Sequence, residues 1–399
     1  MLFFKRVSDV YDEEYQTALA ESDGDTEYAS LPEMHRFEIP EGCHWRDVRE
    51  TTTNVGQAIE HALRGIEKAN QEFLYGIFGD AQWSNKNKLS DSLLINLIEH
   101  FSQHTLGREN ANPDILGNAY EYLIKHFADL TNKKAGEFYT PRSVVHLLGL
   151  ILDPHEGETI YDPACGTGGM LTIGKDWVHE NINPYLKIDL YGQELNDVTY
   201  SICKSDLLMM DENPENIRGP LSSISEDQFQ GRKFDYMITN PPFGVSWKSE
   251  KEFVDEETKD PNGRFFVGTP RSSDGSLLFL QHLINKMNPE GSRIGLVFNG
   301  SPLFTGDAGS GESEIRKWII ENDWLECIVS LPDRMFFNTG ITTYVWIVTN
   351  KKSPDRKGKV QLIDGTSFST PMRKNLGAKG KIIAEEQIQQ LFKIYQKNE

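Results

Sequence analysis

The segment with the clearest chemical content is Thr239-Asn240-Pro241-Pro242-Phe243, which follows the apolar run Phe234–Ile238. Two consecutive prolines fix φ at both positions and remove two backbone donors, so a rigid edge presents carbonyl oxygens and the Asn240 side chain. Two such acceptors can bind both N–H groups of a planar amine, and the aromatic residue that follows can stack on the ring carrying that amine. The pattern indicates chemistry on a planar NH₂ group, with a plain strand-ending turn as the alternative.

A glycine-rich loop precedes this segment, in the order Tyr161-Asp162-Pro163-Ala164-Cys165-Gly166-Thr167-Gly168-Gly169-Met170. It follows a strand pattern and opens a helical pattern, where glycines let a ligand approach the backbone closely. No Gly-Lys-Ser/Thr follows, so the loop is not a P-loop, and only Gly166-x-Gly168 of a dinucleotide fingerprint is present. The loop favours a cofactor site, and a structural tight turn is the alternative.

Two further segments complete the candidate site. Glu194, in Gly192-Gln193-Glu194-Leu195-Asn196, ends the next strand pattern, where a carboxylate can accept hydrogen bonds from both hydroxyls of a ribose. The alternative is that Glu194 only favours the N-terminus of the following helix. Upstream, the aromatic pair and Thr-Pro turn of Gly136–Arg142 could close over one end of a cofactor, although Thr140 before Pro141 also suits simple helix capping.

The secondary-structure pattern that must position these residues changes along the chain from helical to alternating strands and helices. Residues 1–135 read as an all-helical N-terminal domain, whose first helix begins at Met1 without a capping residue, so we expect missing upstream residues or else a frayed first turn. Residues 136–399 read as the catalytic domain, with a short basic and helical segment at its end. There, helical stretches alternate with most of the β-rich runs, which predicts a doubly wound, mostly parallel, seven-stranded sheet. The seven runs are Glu158–Tyr161, Ile188–Gln193, Phe234–Thr239, Arg293–Phe298, Glu326–Ser330, Thr343–Thr349 and Val360–Ile363. The basic link Lys351–Lys359 between the last two fits an antiparallel excursion at the sheet edge.

These parts match the needs of one reaction, methylation of the exocyclic nitrogen of adenine. That nitrogen is a weak nucleophile, because its lone pair is delocalised into the ring. The Asn240 side-chain oxygen and the Pro241 carbonyl can bind its two N–H groups and favour a tetrahedral nitrogen, which stabilises the transition state by fixed dipoles. Phe243 can stack on a base that has been swung out of a duplex, where the amine becomes reachable.

The combination resembles a known family. The segments Asp162–Gly169 and Asn240–Phe243 are similar to the cofactor and catalytic motifs of amino-methyltransferases that use S-adenosyl-L-methionine, and their order after Gly136–Arg142 is similar to N6-adenine DNA methyltransferases. The stretches Phe4–Asp9, Gly136–Leu148 and Leu331–Thr343 narrow the resemblance to the modification subunit of type I restriction–modification systems. It covers nearly the whole chain and implies the fold of S-adenosylmethionine-dependent methyltransferases.

The resemblance also implies residue roles and partners. It makes Asn240, Pro241, Pro242 and Phe243 catalytic. Cofactor binding falls to Glu137, Phe138, Tyr139, Thr140, Pro141, Arg142, Asp162, Gly166, Thr167, Gly168, Gly169 and Glu194. The family implies DNA as substrate, a separate specificity subunit that reads it, a restriction subunit that translocates and cuts, and two modification subunits for each specificity subunit.

Two departures from the family pattern stand out. The family places an acidic residue in a Gly-Asp-x-Leu segment before the catalytic strand, where this chain has Gly219-Pro220-Leu221-Ser222, and neither Asp206 nor Asp227 is an obvious substitute. The family also has more chain at both ends. A polar loop, Lys248–Arg271, follows the catalytic segment, and we expect it to be mobile and to order over the flipped base, or else to be a disordered insertion.

Composition and net charge limit which binding properties and locations the chain can have. The 399 residues carry a net charge of −19, which disfavours tight DNA binding by the chain alone. Residues 351–399 nevertheless hold eleven Lys and Arg against five Asp and Glu, so residues 1–350 carry −25. Four scattered cysteines predict neither a disulfide framework nor a metal site, and the absence of a long apolar run predicts no membrane span, with the cytoplasm as the default location.

Two alternative functions stay open on the residues alone. A protein glutamine amide N-methyltransferase uses a similar Asn-Pro-Pro-aromatic edge, and the helical front with Gly136–Arg142 favours DNA over it. A catalytically silent assembly module is the other alternative, against which the intact Asn240 and Glu194 argue. A nicotinamide oxidoreductase is disfavoured by the incomplete glycine fingerprint.

Overall fold

The computed structural model describes residues 1–111, 140–155, 157–172, 174–175, 188–210, 212–336, 340–376 and 378–398. The chain divides into two compact units, one formed by residues 1–123 and 204–215 and the other by residues 124–203 and 216–399. Within the described ranges, no helix has the length and apolar character needed to cross a membrane.

The first unit is helical, as the sequence predicts. Its described helices of four or more residues, before residue 111, are α1 (Leu2–Glu21), α2 (Thr26–Ala29), α3 (Trp45–Arg49), α4 (Val55–Ala69), α5 (Gln71–Leu74) and α6 (Asp91–Ser102). Ser90 caps the N-terminus of α6, because its hydroxyl accepts a hydrogen bond from the backbone of Leu93 at 3.3 Å. The apolar faces of α1 and α4 meet in one core through residues such as Phe4 and Ile59.

The second unit is built on an eight-stranded sheet with the order β3-β2-β1-β4-β5-β7-β6-β8. Its strands are β1 (Thr159–Asp162), β2 (Asp189–Gln193), β3 (Ile217–Arg218), β4 (Tyr236–Thr239), β5 (Arg293–Phe298), β6 (Leu325–Ser330), β7 (Tyr344–Thr349) and β8 (Gln361–Asp364). All pairings among the strands β1 to β5 are parallel. In the register, Ile160 of β1 lies beside Tyr236 of β4, and Thr239 of β4 lies beside Leu296 of β5. Their carboxyl ends therefore meet at one edge of the sheet, which we call the catalytic edge.

Helices connect these strands. They are α7 (Arg142–Leu152), α8 (Asp197–Met209), α9 (Lys251–Glu257), α10 (Ser276–Asn285), α11 (Ser301–Phe304), α12 (Gly311–Glu321) and α13 (Glu385–Lys397). The α10 face buries Leu280 and Leu283 against the sheet residues Ile294 and Phe298 in an apolar core. The predicted class, a doubly wound and mostly parallel sheet with a helical N-terminal region, is confirmed.

Two details of the predicted sheet were wrong. Among the described residues the sheet has eight strands and not seven, because the two-residue β3 has no apolar run that could reveal it. The antiparallel strand β7 is not at the edge but lies between β5 and β6, whereas β8 forms the edge and runs parallel to β6. The basic C-terminal segment contains a separate hairpin, β9 (Thr370–Leu376) and β10 (Lys379–Ile382), before its helix.

Candidate active site

A cavity of about 710 Å³ opens at the catalytic edge. It is a size that suits a small-molecule ligand. Its walls come from the ends of β1, β2 and β4 and from the segments that follow β3 and β4. The lining residues are Pro163, Ala164, Gly166, Glu194, Leu195, Asn196, Asp197, Ser222, Ser223, Ile224, Ser225, Glu226, Asn240, Pro242, Val245, Ser246, Trp247, Ser249, Glu250, Gly275, Leu278 and Phe279. The loop and strand ends singled out in the sequence thus contribute to one cavity.

Asp162 joins the ends of two neighbouring strands. Its Oδ1 accepts hydrogen bonds from the backbone of Ala164 at 2.9 Å and from the Thr239 hydroxyl at 2.6 Å. Burial raises the pKa of Asp162 to about 7, the nearby Glu194 charge adds to the rise, and the hydrogen bonds from Thr239 and Ala164 oppose it. Burial thus favours the protonated form of this carboxyl group.

The loop after Asp162 depends on two glycines. Gly166 has φ of +55° and Gly168 has φ of +85°, a left-handed conformation that costs other residues steric energy. A Cβ at Gly168 would also lie 2.8 Å from Cys203 Sγ, so this position needs glycine for space as well. Thr167 is buried, and Gly169 begins the following helical turn with open space around its Cα.

Glu194 is buried and is held by backbone donors on both of its oxygens. Its Oε2 accepts from Gly166 N at 2.8 Å, and its Oε1 accepts from Asn196 N at 2.7 Å. The cap of helix α8 is supplied instead by Asn196, whose Oδ1 accepts from Thr199 N at 3.1 Å. Since each carboxylate oxygen has two lone pairs, one acceptor site on each oxygen stays available toward the cavity.

Asn240 lies just past the end of β4, next to the cavity wall. Its Nδ2 donates to the Thr140 hydroxyl at 3.1 Å, which fixes the orientation of the amide. Its Oδ1 is buried and has no hydrogen-bond partner among the described residues. A buried carbonyl oxygen without a partner is costly, and such oxygens are uncommon unless a ligand is to bind there.

The residues after Asn240 form the edge that the sequence predicts. Pro241 is buried, and Pro242 lines the cavity. Phe243 is half-buried and meets the buried Phe336 in an edge-to-face contact, with 6.3 Å between ring centroids. The contact restricts the ring of Phe243 while part of it stays accessible for stacking.

Comparison with known proteins identifies the family. The family described as N-6 DNA Methylase matches residues 111–399, and the HsdM N-terminal domain family matches residues 1–101. The chain belongs to the N-6 DNA methylases. It is similar to the methylase subunit of the type I restriction enzyme HindI of Haemophilus influenzae, with 31% identity over 82% of this chain and 75% of that subunit. It is also similar to the MjaIX methylase subunit of Methanocaldococcus jannaschii, with 28% identity over 90% of this chain and 63% of that subunit.

Solved structures agree on the fold of this methylase. The methyltransferase subunit of a type I restriction–modification system from Streptococcus thermophilus has 24% identity and a TM-score of 0.83, over 100% of this chain and 87% of that one. A putative class I S-adenosylmethionine-dependent methyltransferase of Listeria monocytogenes has 17% identity and a TM-score of 0.56, over 81% of this chain and 92% of that one. The family matches and the similarity to the HindI methylase subunit confirm the predicted relationship to type I modification subunits and the predicted enzyme class, N6-adenine DNA methyltransferase.

The upstream segment of the methylase is only partly described. Glu137, Phe138 and Tyr139 lie outside the described residues. Thr140 accepts the hydrogen bond from Asn240, Pro141 occupies the N-cap position of α7, and Arg142 is the first residue of that helix. The Thr140 side chain thus contacts the catalytic edge.

Several cavity residues were missed by sequence reasoning. Glu250 accepts hydrogen bonds from the hydroxyls of Ser222 and Ser225, so a carboxylate lies beside the segment that lacks the expected acid. Asp227, considered as its substitute, is instead paired with the buried Lys286 at 2.5 Å, and Asp206 does not line the cavity. The one sign of this in the sequence is that Gly219–Ser222 departs from the Gly-Asp-x-Leu pattern of the family, which indicates a different cavity wall at this segment.

The segment 248–271 is packed, so the expectation that it is mobile was wrong. Val254 and Phe265 are buried in a small core with Trp247 and Leu278. Arg264 binds Glu257 and donates to the carbonyls of Ser223, at 2.8 Å, and Ile224, at 2.5 Å. The two apolar anchors and the guanidinium hold the segment against the cavity wall.

Proposed function

We propose that this chain transfers a methyl group from S-adenosyl-L-methionine to the N6 amine of an adenine that has been swung out of duplex DNA. The observation that carries the proposal is the Asn240 carbonyl oxygen, which is buried, oriented by Thr140 and unpartnered among the described residues at a ligand-sized cavity. An amine donor from a substrate would satisfy that oxygen.

The cavity residues fit the cofactor. Glu194 keeps one acceptor site on each oxygen, which suits the two ribose hydroxyls, and the Gly166 backbone leaves room for close approach. Asp162, Thr167, Gly168 and Gly169 would shape the loop around it. The segment Glu137, Phe138, Tyr139, Thr140, Pro141 and Arg142 would enclose its methionine end. Bound there, the cofactor supplies an electrophilic methyl group.

The chain's own residues then prepare the amine. Asn240 Oδ1 and the Pro241 carbonyl would accept the two N–H groups, which localises the nitrogen lone pair as the transition state requires. Pro242 keeps this edge rigid, because its ring fixes the backbone. Phe243, steadied by Phe336, would stack on the adenine and hold it in line with the methyl group.

The substrate would be delivered by partners. We propose a specificity subunit that reads the DNA, two copies of this chain for each such subunit, and a restriction subunit that joins them. The net charge of −19 supports this division, because phosphate affinity requires basic residues. Residues 1–135 would form the helical domain and residues 136–399 the catalytic domain.

Replacement of Asn240 by alanine tests the function. In the complex with the specificity subunit, Asn240→Ala should lower single-turnover methylation of adenine in duplex DNA at least about 100-fold, the effect of losing one preorganised polar contact to a transition state. Binding of S-adenosyl-L-methionine, measured by calorimetry, should change less than about threefold, and the exposed Asn322→Ala variant should behave as wild type. Retained methylation in Asn240→Ala, or full sequence-specific methylation by the chain alone, would contradict the proposal.

A further inference from the structure

Phe304 is the most exposed large apolar side chain among the described residues, with 77% of its surface accessible. It ends the short helix α11, which directly follows strand β5. An aromatic ring in water is unfavourable, and an isolated case on a flexible loop would need no explanation. The position and the bracing of this ring distinguish it from such a case.

The ring belongs to the catalytic edge. Strands β4 and β5 are parallel neighbours, and Thr239, the residue before Asn240, is paired with Leu296. Neighbouring strands lie about 4.8 Å apart, so the last residues of β5, Val297 and Phe298, lie beside the end of β4, where Asn240 follows. Phe304 follows that end by six residues, and its ring lies near Gly300, as does the ring of Tyr344, the register partner of Phe298.

Two arginines brace the helix that carries the ring. Arg316 Nη1 donates to the carbonyls of Pro302 at 3.1 Å and Thr305 at 2.7 Å, on both sides of Phe304. Arg271 Nη2 donates to the Ser301 hydroxyl at 2.8 Å, and the Arg271 side chain is itself half exposed. The ring is therefore held in solvent by a braced backbone, and Arg271, which also pairs with Asp274 at 3.9 Å, lies at the start of the same helix.

The Phe304 ring lies near Gly300 and Tyr344. A Cβ at Gly300 would be 3.5 Å from Phe304 Cε2 and 3.6 Å from Tyr344 Cε2, so both rings approach Gly300. Most of the Phe304 ring therefore stays accessible, although Gly300 and Tyr344 lie near one part of it. A rigid, accessible aromatic ring loses little conformational entropy when it stacks on a ligand.

We propose that Phe304 stacks into the DNA duplex at the position that the flipped adenine leaves, with Arg271 contacting a neighbouring phosphate. The proposal rests on the proposed function, because only a base-flipping reaction opens a gap in the duplex. A planar ring can occupy that gap by stacking on the adjacent bases, and every base offers such a face. Phe304 would thus be a positioning residue that stabilises the extruded state and does not touch the reacting atoms.

The test compares two DNA duplexes in the complete complex of this chain with its specificity subunit. One contains the target adenine paired with thymine, and in the other the target adenine lies opposite an abasic site, so that no base pair has to be broken. Phe304→Ala should slow single-turnover methylation of the paired duplex roughly ten- to hundredfold, the range expected when base–aromatic stacking is lost. It should slow methylation of the abasic duplex less than about threefold, and Phe304→Tyr should restore most of the rate on the paired duplex.

Leu362→Ala is the matched control, because Leu362 is 73% exposed on the edge strand β8, at the far end of the sheet. It should leave both rates unchanged. Equal loss on the two duplexes, no loss on either, or weakened assembly with the specificity subunit would overturn the proposal, the last by assigning Phe304 to a protein interface. Failure of the wild-type complex to methylate either duplex would instead refute the proposed function.

Discussion

Replacing Asp162 by asparagine should stabilise the sheet unit more at pH 8 than at pH 5, relative to the wild type. Burial raises the pKa of Asp162 from 3.8 to about 7 in the folded chain. Between these two values the folded state keeps a proton that the unfolded state releases, so wild-type stability falls as the pH rises through this window and levels off above it. Asparagine keeps an acceptor for Ala164 and Thr239 but carries no titrating group.

The magnitude follows from the shift. Three pKa units correspond to about 4 kcal/mol of stability that the wild type loses by pH 8, and about 2 kcal/mol of that loss is already present at pH 5. The stability difference between Asp162→Asn and wild type should therefore grow by about 2 kcal/mol from pH 5 to pH 8. Urea unfolding followed by tryptophan fluorescence measures both free energies at each pH.

The control for this experiment is Asn240→Ala, which alters a side chain on the same edge without changing a titrating group. Its stability difference from the wild type should be the same at both pH values. If the Asp162→Asn difference is also independent of pH, Asp162 is ionised in the folded chain throughout this window, and the account of its burial is refuted.

Two further substitutions test the loop and the orientation of the amide. Gly168→Ala should weaken S-adenosyl-L-methionine binding about tenfold or more in calorimetry, because residue 168 has a left-handed conformation and the added Cβ would meet Cys203. Gly169→Ala is the control and should bind normally, because its Cβ would meet open space. Equal effects of the two substitutions would contradict this view of the loop. Thr140→Val removes the acceptor for Asn240 Nδ2 and should lower kcat about tenfold with little change in cofactor affinity. Thr140→Ser keeps the hydroxyl and should restore kcat. Unchanged turnover in the valine variant would show that the hydrogen bond does not orient Asn240.

Much of the fold and the outline of the site could be predicted because they depend on local chemistry. Glycines at Gly166 and Gly168 and the prolines after Asn240 constrain the backbone where they stand, so their pattern indicates turns at strand ends. Alternating strand and helix patterns then predict a parallel sheet, in which such ends come together. Seven of the eight strands in the described sheet could be located from their apolar runs. Their order could not be predicted, because nothing in the sequences of β5, β6 and β7 shows that β7 lies between the other two.

Contacts between distant residues account for what the sequence did not show. The hydrogen bond from Thr239 to Asp162 joins residues 77 positions apart, and that from Asn240 to Thr140 joins residues 100 positions apart. The packing of segment 248–271 depends on Arg264 reaching backbone carbonyls about 40 residues earlier, where no side-chain pattern marks the acceptors. A polar, acidic segment therefore looked mobile although three residues anchor it.

The hydrogen bond between Asp162 and Thr239 has a consequence for how the protein can vary. It ties the turn that precedes the cofactor loop to the strand end that carries Asn240, across the fixed spacing of adjacent strands β1 and β4. On the proposed function, the pairing of β1 with β4 would set the distance between the bound methyl donor and the amine, and the loops beyond the strand ends need not set it. Exchanges in residues 299–310, which lie beyond the strand ends and do not line the cavity, would therefore change which DNA geometry is accepted without changing the spacing of the reacting atoms.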